Sequence, residues 1–475
     1  MGRRLLRPRP HLQPYRPHER SHQVTTSKPQ YLSLHVLETF AAALPVRDEN
    51  GQPKAFVYGS AERTAISAQA RRRAERTHSR RRANQGEGPL ASYSSGRRTR
   101  EWALFTRDAL IKNHDWDADQ AIYAAKAALE GLGLKFGEKD STALLTKVLI
   151  YAPEDAGDRI AQHINTNADA FTTWLSQYTA AKAEAAAKEE AKKNAKKNAR
   201  KKTTGADAEE PAEPVVKDSK EEEVKVPPLP KDLRTGILTA FAPRDAIDIT
   251  VFGRFLAEVA ELRTVDGAAQ HSWAFTIAPA EHIDDFYAAA DDAKLERRDN
   301  ALDFLDAADN AGAGMTGYQS LISGTFYRHA ALDRHKLRVN LQASGMTQEE
   351  AETAAQAAEA EFVHAFADAV PRAKANSTAS TGTLPNLVLA HEGARPYFYA
   401  AAFQRHIDET SDGPAALAGA KRLLDHHRLI ITKRSDATPG RLLTYDLDIQ
   451  ELIDQLAADG KLPAAEATTL EQLTA

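Results

Sequence analysis

The chain has 475 residues, 27% of them charged, with a formal net charge of −4 at neutral pH. It contains no cysteine, which excludes disulfide bonds and thiolate metal sites, and it is long enough for a substantial core in more than one lobe. The 16 histidines show no metal-ligand spacing, and His426–His427, the nearest approach to a cluster, reads as a helix surface. No apolar run reaches spanning length and residues 1–30 lack a hydrophobic signal core, so the expectation is a cytoplasmic chain without membrane contact.

Residues 1–30 carry six arginines and five prolines, the composition of a disordered basic extension. Residues 31–37 then alternate as a strand with Leu32, Leu34 and Val36 on one face. A loop with turn chemistry follows, Arg47-Asp48-Glu49-Asn50-Gly51, and leads to a second extended run at 55–60. The sharpest feature comes next. Residues 63–100 hold eleven arginines and no lysine against Glu75 and Glu87, a local charge of +9 in an acidic chain. Such segregation implies an anionic partner, and guanidinium forks favour phosphate.

Ser67 suits an N-cap, and the Ala, Gln and Arg residues after it are good helix formers, so a helix is expected from about Ala68 to Arg82. Arg71, Arg72 and Arg73 then oppose the helix dipole at roughly 0.3–1 kcal/mol each. A cationic helix start with free N–H groups is an anion site. Residues 101–180 read as helices, for example 117–134 and 168–181. Residues 181–231 are low in complexity: a Lys/Ala-rich run to Lys202 that can extend a helix, then Glu-rich and Pro-rich sequence expected to be a flexible linker.

Residues 247–252 alternate as a strand running into Gly253-Arg254-Phe255, and Asp266-Gly267 is a hairpin-turn signal. Trp273, Phe275 and Ile277 fall on one face of a following strand, and Gly312, Gly314 and Gly317 precede another at 324–329. The C-terminal part contains strand-like residues 429–432 and a helix at 449–458. No G-x-G-x-x-G or Walker pattern follows a strand, so nucleotide-binding folds are not indicated and no cofactor is expected.

The blocks SLHVLETFAAALPVRDENG and FVYGSAERTAISAQARRRAER resemble the N-terminus of the CasC-type crRNA-binding backbone subunit of the type I-E CRISPR Cascade complex. In that family an I-H-V-L strand and an R-D loop precede an I-S-S-Q-S-L-K-R-A helix. Three later blocks, IDITVFGRFLAEVAELRTVDGAA, SGTFYRHAALDRHKLRVNL and VPRAKANSTAS, resemble family segments in the same order. The family's second and third helix serines are Ala68 and Ala70 here and its lysine is Arg72, so hydroxyl contacts at those places do not carry over.

The resemblance implies an α+β fold: a modified RRM-like (ferredoxin-like) palm with inserted helical fingers and a β-hairpin thumb. It divides the chain into a disordered extension (1–30), palm (31–62), fingers with the basic helix (63–180), a linker insertion (181–231), a return to the palm (232–255), the thumb (256–285), more palm (286–405) and a C-terminal segment (406–475). It implies a non-catalytic subunit that polymerises along crRNA, presents it for pairing with target DNA, and contacts other Cascade subunits. By motif, Ser67, Gln69, Arg72 and Arg76 would contact the guide, flanked by Arg71 and Arg73. Arg71 stands where the family has an apolar residue. Arg47, Arg254, Phe255 and Lys374 are further candidates, with Phe255 pressing on a base. Two other readings are a metal-dependent RNase of type III kind using Asp48, and a stand-alone RNA-binding regulator.

Overall fold

The computed structural model describes residues 28–202, 226–255, 264–299 and 313–474. Most of the expected basic extension, residues 203–225 of the expected linker and residues 256–263 of the expected thumb lie outside them. Among the described residues no helix is long and apolar enough to cross a membrane.

The fold is organised on β1 (Tyr31–Ala43), followed by β2 (Lys54–Tyr58), β3 (Ala61–Ile66) and the helix α1 (Ala68–Asn84). A helical lobe comes next: β4 (Gly96–Thr99), α2 (Trp102–His114), α3 (Ala118–Gly131), β5 (Ile150–Pro153), α4 (Ala156–Thr166), α5 (Ala168–Lys202) and α6 (Lys231–Ala240). The short α7 (Ile247–Phe252) leads back to β6 (Ala269–His271), β7 (Ala274–Thr276), β8 (Glu281–Ala290) and β9 (Ala313–Asp333). The helices Arg334–Ala343 and Gln348–Asp368 precede β10 (Pro385–Gly393). The helix Ala415–Lys433, β11 (Arg441–Thr444), the helix Leu447–Ala458 and β12 (Ala465–Glu466) complete the described fold.

The main sheet runs β12-β11-β10-β1-β9-β7-β3-β2, antiparallel throughout except between β11 and β12. Leu32, Leu34 and Val36 are buried, as their alternation predicts, under the 348–368 helix. Ser33, His35 and Leu37 on the opposite face are buried too, beneath the 415–433 and 447–458 helices. The sheet is therefore covered on both faces, and the polar positions of β1 face an interior rather than water. The helical lobe has a core of its own around Trp102, whose indole N–H donates to the Ile150 carbonyl at 3.1 Å.

Three expectations change. Residues 247–252 form a helix, because every position from Ile247 to Val251 is buried and alternation carries no information there. Residues 429–432 continue the 415–433 helix, since a four-residue apolar run fits either period. α5 runs on to Lys202, so the Lys/Ala-rich first part of the low-complexity stretch does extend a helix. Asp266-Gly267 does not turn a hairpin. Gly253, at φ +79°, lies so close to Gly267 that a side chain would strike its backbone, and β6 and β7 each pair with β9. The long hairpin is instead β8 against β9, starting at Glu281↔Ser323.

His427, read as helix surface, is fully buried in a network beneath the sheet. Its Nε2–H donates to the Pro439 carbonyl at 2.8 Å, so Nδ1 of the neutral ring accepts from Tyr399 Oη at 2.9 Å. Tyr399 also meets His391, which lies 3.1 Å from His35, and His35 meets the Tyr327 hydroxyl. Burial pushes His391 and His329 down to about 3 and His427 to about 4, and His35 well below its ordinary value. These rings fold neutral, while the unfolded chain takes up protons below about pH 6.5. Their stabilisation is present above that pH and is lost as the pH falls toward 4. Urea unfolding at pH 7 and pH 5 should differ by at least ~2 kcal/mol in favour of pH 7. Equal stability at the two values would show that the network titrates normally.

Candidate nucleic-acid interface

α1 begins at Ala68, as its composition predicts. Ser67 precedes it in extended backbone and its carbonyl accepts the N–H of Ala70 and Arg71, but its hydroxyl makes no cap bond and is buried. The 3.6-residue period divides the helix into three faces with different fates.

The first face is internal. Arg71, Glu75 and Ser79 are buried. The Arg71 guanidinium pairs with Glu38 of β1, and Arg328 of β9 reaches the same carboxylate at 3.1 Å. Both cations also serve the end of the 348–368 helix: Arg71 donates to the Ala369 carbonyl at 3.2 Å, Arg328 to Ala367 at 3.1 Å and to Phe366. Positive charge belongs at a helix C-terminus, so the conflict expected at the start of α1 is resolved by lending Arg71 to another helix. Arg71 is an anchor and is not open to a ligand.

The second face meets the helical lobe. Arg72 donates to the Phe252 carbonyl, and the Arg76 guanidinium sits 5.0 Å from the centre of the Tyr151 ring. The Tyr151 hydroxyl in turn donates to Asp248 at 2.5 Å. Asp248 is buried, and burial raises its pKa against the lowering effect of these donors. Arg72 and Arg76, expected to contact a guide, are half-buried against these partners instead of standing free in solvent.

The third face lines a cleft. Ala70, Arg73, Ala74, Thr77, His78 and Arg81 form one wall, residues 45–47 a second, and residues 368–373 the third, around about 730 Å³. Arg47, Arg73, Arg81 and Arg372 are exposed there, and none makes an ion pair among the described residues. Gln69 is exposed on the same helix. Other arginines of the basic segment are engaged: Arg80 and Arg97 with Glu154, Arg82 with Glu361, and buried Arg63 with the carbonyls of Thr276 and Phe403.

Arg254 also proves internal, donating to the carbonyls of Tyr151 and Phe241 at 3.1 and 2.6 Å. Its backbone pairs with Val265, which turns the next residue, Phe255, outward at 79% exposure. Lys374, in left-handed backbone at φ +52°, holds its ammonium 5.9 Å from the Tyr287 ring of β8. Arg81 and Arg372 were not singled out in the sequence. The spacing of Arg73, Thr77 and Arg81 signals the first; nothing local signals Arg372.

The model of the CT1975-like protein family matches residues 32–439. The chain belongs to the CT1975-like Cas family. It is 27% identical to a chain of a structure titled "CRISPR RNA-guided surveillance complex, pre-nicking", with a TM-score of 0.66 over 94% of this chain and 98% of that one. A second structure, titled "CRISPR RNA-guided surveillance complex", has a chain 23% identical with a TM-score of 0.59 and the same coverage, and shares the fold. No curated protein matches. The CT1975-like assignment agrees with the resemblance to a Cas backbone subunit.

The three faces predict different outcomes for adjacent arginines. Arg71→Ala leaves Glu38 partly uncompensated in the interior and should cost about 3–5 kcal/mol in chemical denaturation. Arg73→Ala should stay within about 0.5 kcal/mol of the parent chain. Equal losses for the two would refute the division.

Proposed function

We propose that this CT1975-like protein is the crRNA-binding backbone subunit of a type I-E Cascade complex. Several copies polymerise along one guide, hold its backbone, and present its bases for pairing with target DNA beside the other Cascade subunits. The observation that carries this reading is the cleft. Four exposed guanidiniums from three separate chain segments converge on one groove without internal carboxylate partners. A row of forked cations suits phosphates and carries no base code, so pairing by the guide does the reading.

The strand order β10-β1-β9-β7 is antiparallel, and α1 and the 348–368 helix lie together on one face. That arrangement supports an RRM-like palm. Because the opposite face is covered by the 415–433 helix, the RNA lies along the edge of α1 rather than across the open sheet of an ordinary RRM. The β8–β9 hairpin, with Phe286 and Tyr318 exposed opposite each other midway along it, is our candidate for the thumb. Arg47, Arg73, Arg81 and Arg372 grip phosphates in the cleft, exposed Gln69 and Phe255 offer further contacts outside it, and Arg72, Arg76 and Lys374 act beside it through Phe252, Tyr151 and Tyr287.

We read the subunit as non-catalytic. Asp48 Oδ1 accepts the backbone N–H groups of Asn50 and Gln52, both at 2.8 Å, which is the work of a turn residue. That observation favours the scaffold over the type III-like RNase.

The test uses the full chain with a guide RNA over a range of salt. Arg73→Glu with Arg81→Glu should weaken binding by at least about tenfold and reduce the slope of log K against log salt by about 1.4, for two lost single-strand phosphates. Unchanged affinity and slope would sink the cleft. A single chain per guide would favour the stand-alone regulator. Regular metal-dependent cuts that disappear in Asp48→Ala would make this an enzyme.

A further inference from the structure

The floor of the cleft contains a second kind of chemistry. His78 of α1, with His364 and Asp368 of the 348–368 helix, brings three donor atoms within 4.8 Å of one another. His364 and Asp368 are one helical turn apart, and His364 Nδ1 lies 3.4 Å from Asp368 Oδ2. The His78 and His364 rings approach to 5.6 Å between centroids. His78 Nε2 and His364 Nδ1 are both buried and neither makes a hydrogen bond. Buried imidazole nitrogens without partners are costly, and two of them facing one carboxylate call for a shared ligand.

The geometry points to a three-ligand site for a divalent transition metal, with Zn²⁺ the best fit, held by His78 Nε2, His364 Nδ1 and the Asp368 carboxylate. Bonds of about 2.1 Å in a tetrahedron separate ligand atoms by roughly 3.4 Å, the spacing His364 and Asp368 already have. A small side-chain adjustment brings in His78. Two imidazoles with one carboxylate suit zinc-like ions over Mg²⁺ or Ca²⁺, which prefer oxygen alone. Burial, the neighbouring His364 and then Arg81 and Arg82 lower His78 to about 4, so its lone pair is open at neutral pH. Arg82 is itself 3.5 Å from Glu361, which offsets part of its repulsion of a cation.

The ion would join α1 to the 348–368 helix, the two elements that frame the cleft. It would also neutralise Asp368, the one carboxylate among the lining residues, in a groove proposed for phosphates. His78 and Asp368 both line the cleft, which leaves a fourth coordination position on that side for water or a phosphate oxygen.

The test uses the full-length chain without RNA, so its outcome is separate from that of guide binding. After dialysis against chelator, titration with Zn²⁺ alone should reveal one tight site per chain and a raised melting temperature. His78→Ala and the near-isosteric Asp368→Asn should each weaken that site by at least about tenfold, while circular dichroism stays unchanged. Co²⁺ loaded into the parent chain should give the intense visible absorption of a tetrahedral site, a readout independent of how the variants fold. The absence of a stoichiometric site, or binding that survives in Asp368→Asn, would overturn the assignment.

Discussion

The architecture depends on one buried carboxylate. Glu38 leaves the central strand and receives Arg71 from α1 and Arg328 from β9, and those two guanidiniums also satisfy carbonyls at the end of the 348–368 helix. A lone buried ion of any of these types would be expensive. Together they compensate one another, and terminal nitrogens of both guanidiniums also meet carbonyls, while the two Nε–H groups have no hydrogen-bond partner among the described residues. The same contacts set the position of α1 relative to residues 369–373. The walls of the cleft therefore follow from the interior electrostatics of the fold.

This explains how adjacent arginines in one short helix come to occupy different surroundings. In the triplet Arg71-Arg72-Arg73, successive residues are turned about 100° apart. One side chain enters the core, the next reaches the Phe252 carbonyl, and the third reaches the cleft. The +9 charge of the segment overstates what a ligand meets, because Glu38, Glu154 and Glu361 absorb part of it from distant parts of the chain.

Local chemistry made much of this legible. The start of α1, the alternation of β1 and the C-terminal helix near 449–458 follow from short-range pattern, and the motif blocks pointed to the right family. What stayed hidden depends on contacts across the sequence. Arg254 and Arg71 look like surface cations until their partners, Tyr151 and Phe241 or Glu38, are brought in by the fold. His427 looks like surface because its neighbours His391 and Tyr399 lie on another strand and loop. Fully buried elements such as α7 defeat periodicity, since polarity no longer marks a face. Arg372 joins the cleft only because the 348–368 helix ends beside α1.

The most direct test of the central claim is to locate the RNA on the protein. A guide carrying photoreactive thiouridines would be bound to the full chain, irradiated, and the crosslinked peptides identified by mass spectrometry. The account predicts crosslinks to residues 45–47, 69–81 and 370–374, with Phe255 as a further site. Crosslinks confined to the 415–433 helix or the far side of the helical lobe, with none in the cleft, would contradict it.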